Sequence, residues 1–126
     1  MKVVFTKDSA RCTAFLRENK ADREQVDVSD ASLWGLAIND YGIIGVIGIN
    51  FGKHTDRIKG FYVAQDWRGR GIGTALLMCA LDKIQARRVT AFCTRRSEGI
   101  FLRRGFRVTR EANKYGISFV EKDVLL

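Results

Sequence analysis

The chain contains no proline, one histidine and three cysteines. Without proline there is no rigid linker and no proline-marked domain boundary. Cys12, Cys79 and Cys93 are odd in number and far apart, so they form neither a metal-ligand spacing nor a disulfide framework. With His54 as the one imidazole, no metal site is expected. No apolar stretch approaches the roughly 18 residues of a membrane span. The first eight residues carry none of the apolar core of a signal peptide. Together these absences predict a reducing, cytoplasmic setting and no membrane partner. No internal repeat or low-complexity segment interrupts the chain.

What is present is a globular composition. Of 126 residues, 46% are apolar and 29% charged, which predicts a single domain over residues 1–126. The net charge is +8 and unevenly placed: residues 1–63 carry 9 basic and 8 acidic side chains, residues 64–126 carry 13 and 6. The second half is therefore expected to meet an anion: a phosphorylated cofactor, a nucleic acid or an acidic partner.

Hydrophobic periodicity orders the elements. Residues 3–6 read as a strand and 9–19 as a helix capped by Asp8 or Ser9. Residues 20–32, mostly charged, read as a short helix or a loop. Residues 33–39, 43–51 and 57–64 form an antiparallel meander. Residues 71–87 read as a long helix, apolar nearly all round in its middle, and 89–93 as a strand. Residues 97–104 read as a short helix ended by Gly105, and 107–112 with 117–124 as a final hairpin. The order βα, βββ, α, β, α, ββ predicts an α/β or α+β fold with helices on both faces of one sheet.

One segment carries chemistry. Between the strand ending near Ala64 and the long helix lies Gln65-Asp66-Trp67-Arg68-Gly69-Arg70-Gly71-Ile72-Gly73-Thr74. Glycines let backbone N–H groups approach a ligand, and a helix N-terminus adds unpaired donors and partial positive charge. That combination suits a pyrophosphate, reinforced by Arg68 and Arg70. The loop is neither a dinucleotide fingerprint nor a P-loop.

Arg68-x-x-Gly71-x-Gly73 resembles the Gln/Arg-x-x-Gly-x-Gly/Ala signature of the GCN5-related N-acetyltransferases. Residues 94–106, ending in Phe101-x-x-x-Gly105-Phe106, resemble that family's second block. The resemblance covers residues 33–124. It implies a mixed, mostly antiparallel sheet of six to seven strands, splayed at strand 4, and acetyl-CoA as cosubstrate without a metal. The residues it points to for the cofactor are Phe61, Tyr62, Val63, Arg68, Gly69, Arg70, Gly71, Ile72, Gly73, Thr74, Phe101 and Arg104. It implies direct attack of a primary amine on the thioester in a ternary complex, with the Val63 N–H stabilising the oxyanion.

Two features depart from the family pattern. Phe101 stands where the family usually has a tyrosine acting as general acid; a water or a hydroxyl such as that of Tyr62, Thr94 or Ser97 is expected to take that part. The carboxylate closest to the family's usual general-base position is Asp56, with His54 in the same turn. Cys93 reads as a buried small hydrophobe. The acceptor is left open among a protein or peptide, a small amine and a nucleic-acid-linked amine, with the protein a monomer or homodimer. Two alternatives stay open: a non-catalytic acyl-CoA-binding module on the same fold, and a basic nucleic-acid-binding domain. The arginines beyond CoA's need, at 87, 88, 95, 96, 107 and 110, leave room for a second anion, although no aromatic-interleaved basic stripe runs along the sequence.

Overall fold

The structure, a computed structural model, describes residues 1–124. The described chain forms one mixed sheet of seven strands in the order β1-β2-β3-β4-β5-β7-β6. The strands are Lys2–Thr6 (β1), Leu33–Asn39 (β2), Gly42–Asn50 (β3), Thr55–Val63 (β4), Arg88–Cys93 (β5), Arg107–Arg110 (β6) and Ser118–Asp123 (β7). Every neighbouring pair is antiparallel except β4 and β5. A parallel pair needs a crossover, and the helix Ile72–Leu81 (α2) supplies it.

The two faces carry separate cores. On one, α2 and the helix Arg95–Arg103 (α3) cover Ile47, Ile49, Ile58, Val89, Ala91 and Val120. On the other, the helix Ser9–Glu18 (α1) lays Cys12, Phe15 and Leu16 against Trp34, Leu36, Val46 and Tyr62. Asp8 caps α1 by accepting from the Arg11 N–H. The α1 core draws on β2, β3 and β4 but on no residue of β5, β6 or β7.

Several boundaries differ from the sequence reading for identifiable reasons. The crossover helix stops at Leu81 rather than near residue 87. The amides of Gln85 and Ala86 donate instead to the Asp56 carboxylate, at 2.7 and 3.1 Å, which takes them out of any helical ladder. Helix α3 begins two residues earlier than expected, because Thr94 and Ser97 form a reciprocal capping box at its start. Residues 20–32 contain a 3-10 helix, Ala21–Glu24, flanked by Lys20 and Gln25 in the left-handed region at φ 55° and 68°.

β4 is the pivot of the fold. It pairs with β5 only from Thr55 to Ile58, opposite Arg88 to Ala91. Its register against β3 then shifts between Val46 and Gly48. At that bulge Gly60 adopts φ +60°, and a Cβ there would lie 2.7 Å from the ring of Trp34. Only glycine meets both conditions. Beyond the bulge, β4 and β5 part.

Candidate active site

The parting of β4 from β5 opens a cleft of about 640 Å³. One wall is Phe61, Tyr62 and Val63 of β4. The floor is the glycine loop and first turn of α2. The far wall is the start of α3, with Thr94, Arg95, Arg96, Ser97, Ile100 and Arg103.

Backbone alternation orients the β4 wall. The Ala64 N–H donates to the Ile44 carbonyl at 2.9 Å, which directs its polar groups toward β3. The preceding residue points the opposite way. The N–H and carbonyl of Val63 therefore face the open edge, and the carbonyl accepts from Arg68 Nε at 2.9 Å.

The glycine loop supplies the donors. Gly69 and Gly71 take φ +76° and +80°, and nothing lies within 4 Å of a Cβ at either position. Gly71 is the N-cap of α2 and brings no side chain to it. The first helical bond runs from the Ala75 N–H to the Gly71 carbonyl at 3.1 Å. The amides of Ile72, Gly73 and Thr74 consequently have no partner within the helix, and all three residues line the cleft. Gly73 lets α3 close in, since a Cβ there would meet Ile100 at 3.0 Å.

The sequence reading overlooked a carboxylate. Glu24, at the end of the 3-10 helix, reaches the cleft and accepts from the Tyr62 hydroxyl at 2.6 Å. Arg68 grips it with both terminal nitrogens, at 3.0 and 3.2 Å, while its guanidinium stacks 4.9 Å from the Tyr62 ring. Arg96 approaches from α3 at 3.6 Å, across the cleft. The bond from Arg68 holds the Glu24 carboxyl below its ordinary range against an opposing effect of burial, and Tyr62 adds to the lowering. Burial and the Glu24 charge push the Tyr62 phenol above its ordinary range. Arg68 is thus committed to Glu24 and the Val63 carbonyl. The left-handed residues that aim Glu24 are lysine and glutamine, so no glycine marks the turn in the sequence.

The other expected site residues divide cleanly. Phe61, Tyr62, Val63, Arg68, Gly69, Gly71, Ile72, Gly73, Thr74, Thr94 and Ser97 line the cleft together. Phe101 does not; it is 1% exposed and packs beneath the cleft against Phe61 and Phe106 at 5.7 and 5.0 Å between ring centres. Arg70 stacks on Trp67 at 4.8 Å, and Arg104 closes α3 outside the cleft. Asp56 is fully buried at the closed end of β4, where both oxygens accept backbone amides from Gly52, Gln85 and Ala86. His54 lines a second pocket at that same end with Arg87, Arg88 and Asp123. Cys93 is buried beside Ser118, and burial raises its thiol pKa. No helix among the described residues is long and apolar enough to cross a membrane.

This geometry has known counterparts. Escherichia coli ElaA superposes with a TM-score of 0.78 at 12% identity, covering 98% of this chain and all of that one, 100%. A Mycobacterium tuberculosis protein solved in complex with CoA gives 0.75 at 15% identity, over 97% and 99% of the two chains. A GNAT family acetyltransferase from Elizabethkingia anophelis with acetyl-CoA bound gives 0.62 at 20% identity, over 73% and 76%. A comparison with curated proteins finds no match. The family model described as an acetyltransferase (GNAT) domain matches residues 4–125. The chain therefore belongs to the GNAT acetyltransferase family.

Proposed function

We propose that this protein is an acetyl-CoA-dependent N-acyltransferase acting by direct transfer within the cleft. The observation that carries the reading is the convergence, on one opening, of an unpaired strand edge and an uncapped helix N-terminus. The free amides of Ile72, Gly73 and Thr74 fit the pyrophosphate. The unpaired edge of β4 offers the Val63 N–H to the amide-bearing arm or to the thioester carbonyl. As the amine attacks that carbonyl, negative charge grows on its oxygen, and a fixed N–H there stabilises it without reorganisation. The attacking nitrogen passes its proton to water, and the tetrahedral intermediate collapses with breakage of the C–S bond. The thiol's pKa, about 8–9, lets it depart as thiolate.

The cleft's hydroxyls are Tyr62, Thr74, Thr94, Ser97 and Tyr115. Thr94 and Ser97 serve the α3 cap, with the Thr94 N–H on Ser97 Oγ at 3.1 Å. Tyr62 is assigned the return of a proton to the thiolate by its position, on the open stretch of β4 beside Val63 and outside any helix cap. The acceptor is a primary amine that enters this cleft, whose lining includes Glu24 and Tyr115. A second reading, acyl-CoA binding without turnover, is favoured by the burial of Phe101 and by the commitment of Glu24 to Arg68.

A thiol-release assay with acetyl-CoA and amine, peptide and tRNA acceptors separates the two. Acceptor-dependent release supports transfer; CoA binding with no release across the panel supports the second reading. Gly71→Val places a β-branched side chain at φ +80° in the loop, and CoA affinity should fall at least ~10-fold. Unchanged affinity would remove the loop from the cofactor site.

A further inference from the structure

Four arginines outside the cleft fall into two groups on the sheet. Arg88 and Arg107 share Glu121 and Asp123, with nitrogen–oxygen distances of 3.2 to 3.6 Å, so their charge is balanced in place. Arg57 and Arg110 form no ion pair among the described residues, and both lie against aromatic rings instead. Arg57 stands 5.2 Å from the Phe92 ring and Arg110 stands 4.7 Å from the Phe119 ring. The two rings are 4.9 Å apart, on residues directly opposite across β5 and β7.

The four side chains make one row across four adjacent strands, Arg57 on β4, Phe92 on β5, Phe119 on β7 and Arg110 on β6. This is the face that α1 leaves bare. Phe92 is 53% exposed there, although its strand neighbours Ala91 and Cys93 are buried in the opposite core. An exposed Phe92 beside a half-buried Phe119 in mid-sheet is costly to keep in water, and the flanking cations define what the pair suits.

We propose that this row is a stacking platform for single-stranded nucleic acid. Bases stack on phenylalanine rings and guanidinium planes, and the backbone phosphates take the uncompensated charges of Arg57 and Arg110. Four strands span roughly 14 Å, which accommodates about two or three stacked bases. A second copy of the chain fits less well. A two-fold contact over the phenylalanines would bring two sets of unpaired arginines together, while Glu121 and Asp123 are already held by Arg88 and Arg107. An acidic peptide would answer the charge but leave the adjoining rings without a stacking partner.

The platform is separate from the cleft, so the test keeps the two apart. Anisotropy of a labelled oligo(U) strand of about ten nucleotides should report binding that weakens with salt, at a log–log slope near −1.4 for about two phosphates. Phe92→Ala should lower that affinity about 10-fold while leaving polyphosphate binding and CoA affinity unchanged. Arg57→Gln with Arg110→Gln should flatten the salt slope. Both positions are exposed, so this pair decides the matter alone if Phe92→Ala folds poorly. Absence of oligonucleotide binding at low salt would overturn the proposal. So would equal binding by Phe92→Ala, or a wild-type dimer that Phe92→Ala converts to monomer.

Discussion

The two ends of β4 lie on the same strand and serve opposite ends. From Thr55 to Ile58 the strand is sealed to β5, and its carboxylate, Asp56, turns inward onto three backbone amides. From Phe61 to Val63 it stands open, and the carboxylate there comes from a distant 3-10 helix to hold side chains. Nearness in sequence made Asp56 a candidate for chemistry; the structure surrounds the two carboxylates with different donors. Backbone amides fix Asp56 as a brace that pins the return from α2, whereas Arg68 and Tyr62 hold Glu24 at the wall of the open cleft.

The comparison is broken most directly at the closed end. Asp56→Ala removes a fully buried acceptor and leaves three amides without a partner, at a cost of about 3–5 kcal/mol. Urea denaturation should show that loss, while CoA affinity at low temperature stays close to that of the native protein. A variant of native stability without transferase activity would instead give Asp56 a chemical role.

At the open end, Glu24→Gln should act on the reaction more than on the fold. Removing the charge loosens Arg68 from the Val63 carbonyl, and kcat/KM for the acceptor should fall roughly 10-fold with CoA affinity nearly unchanged. The stability effect depends on pH. Arg68 first, and then Tyr62, hold the folded carboxyl below its ordinary 4.5. Its ionised form therefore adds stability at any pH above that value, and the addition is lost as the pH falls through the depressed folded pKa. Native protein should exceed Glu24→Gln by about 1 kcal/mol near neutrality, a pair of this exposure being worth little more. The gap should close in acid; a gap that widened there would mean Glu24 is not held ionised by these partners.

What was legible in the sequence follows the same division. The order of elements and the loop from Arg68 to Gly73 declare themselves through alternation, glycine and contiguity, whereas the splay of β4 is implied by the family resemblance alone. Glu24 does not, because its turn relies on Lys20 and Gln25 at positive φ, which no local residue type announces. The stop of α2 at Leu81 was equally hidden, since it depends on Asp56 capturing two amides some thirty residues downstream. The row from Arg57 to Arg110 is invisible along the chain because four strands contribute one residue each.

The smallest expected effect sharpens the boundary between the cleft and the core beneath it. Phe101 occupies the family's tyrosine position, yet it lies 1% exposed with edge-on contacts to Phe61 and Phe106. In Phe101→Tyr the added hydroxyl enters a wall of apolar side chains, and without a partner there it costs about 1–2 kcal/mol. If Tyr62 already serves as the protonated hydroxyl of the cleft, the turnover rate should change by less than about 3-fold, a difference below 1 kcal/mol in barrier. Measuring kcat beside the melting temperature distinguishes the cases. Lower stability with near-native kcat keeps proton return with Tyr62. A large gain in kcat would show that the Phe101 ring edge borders the reacting thioester after all, and would extend the open end of β4 down to α3.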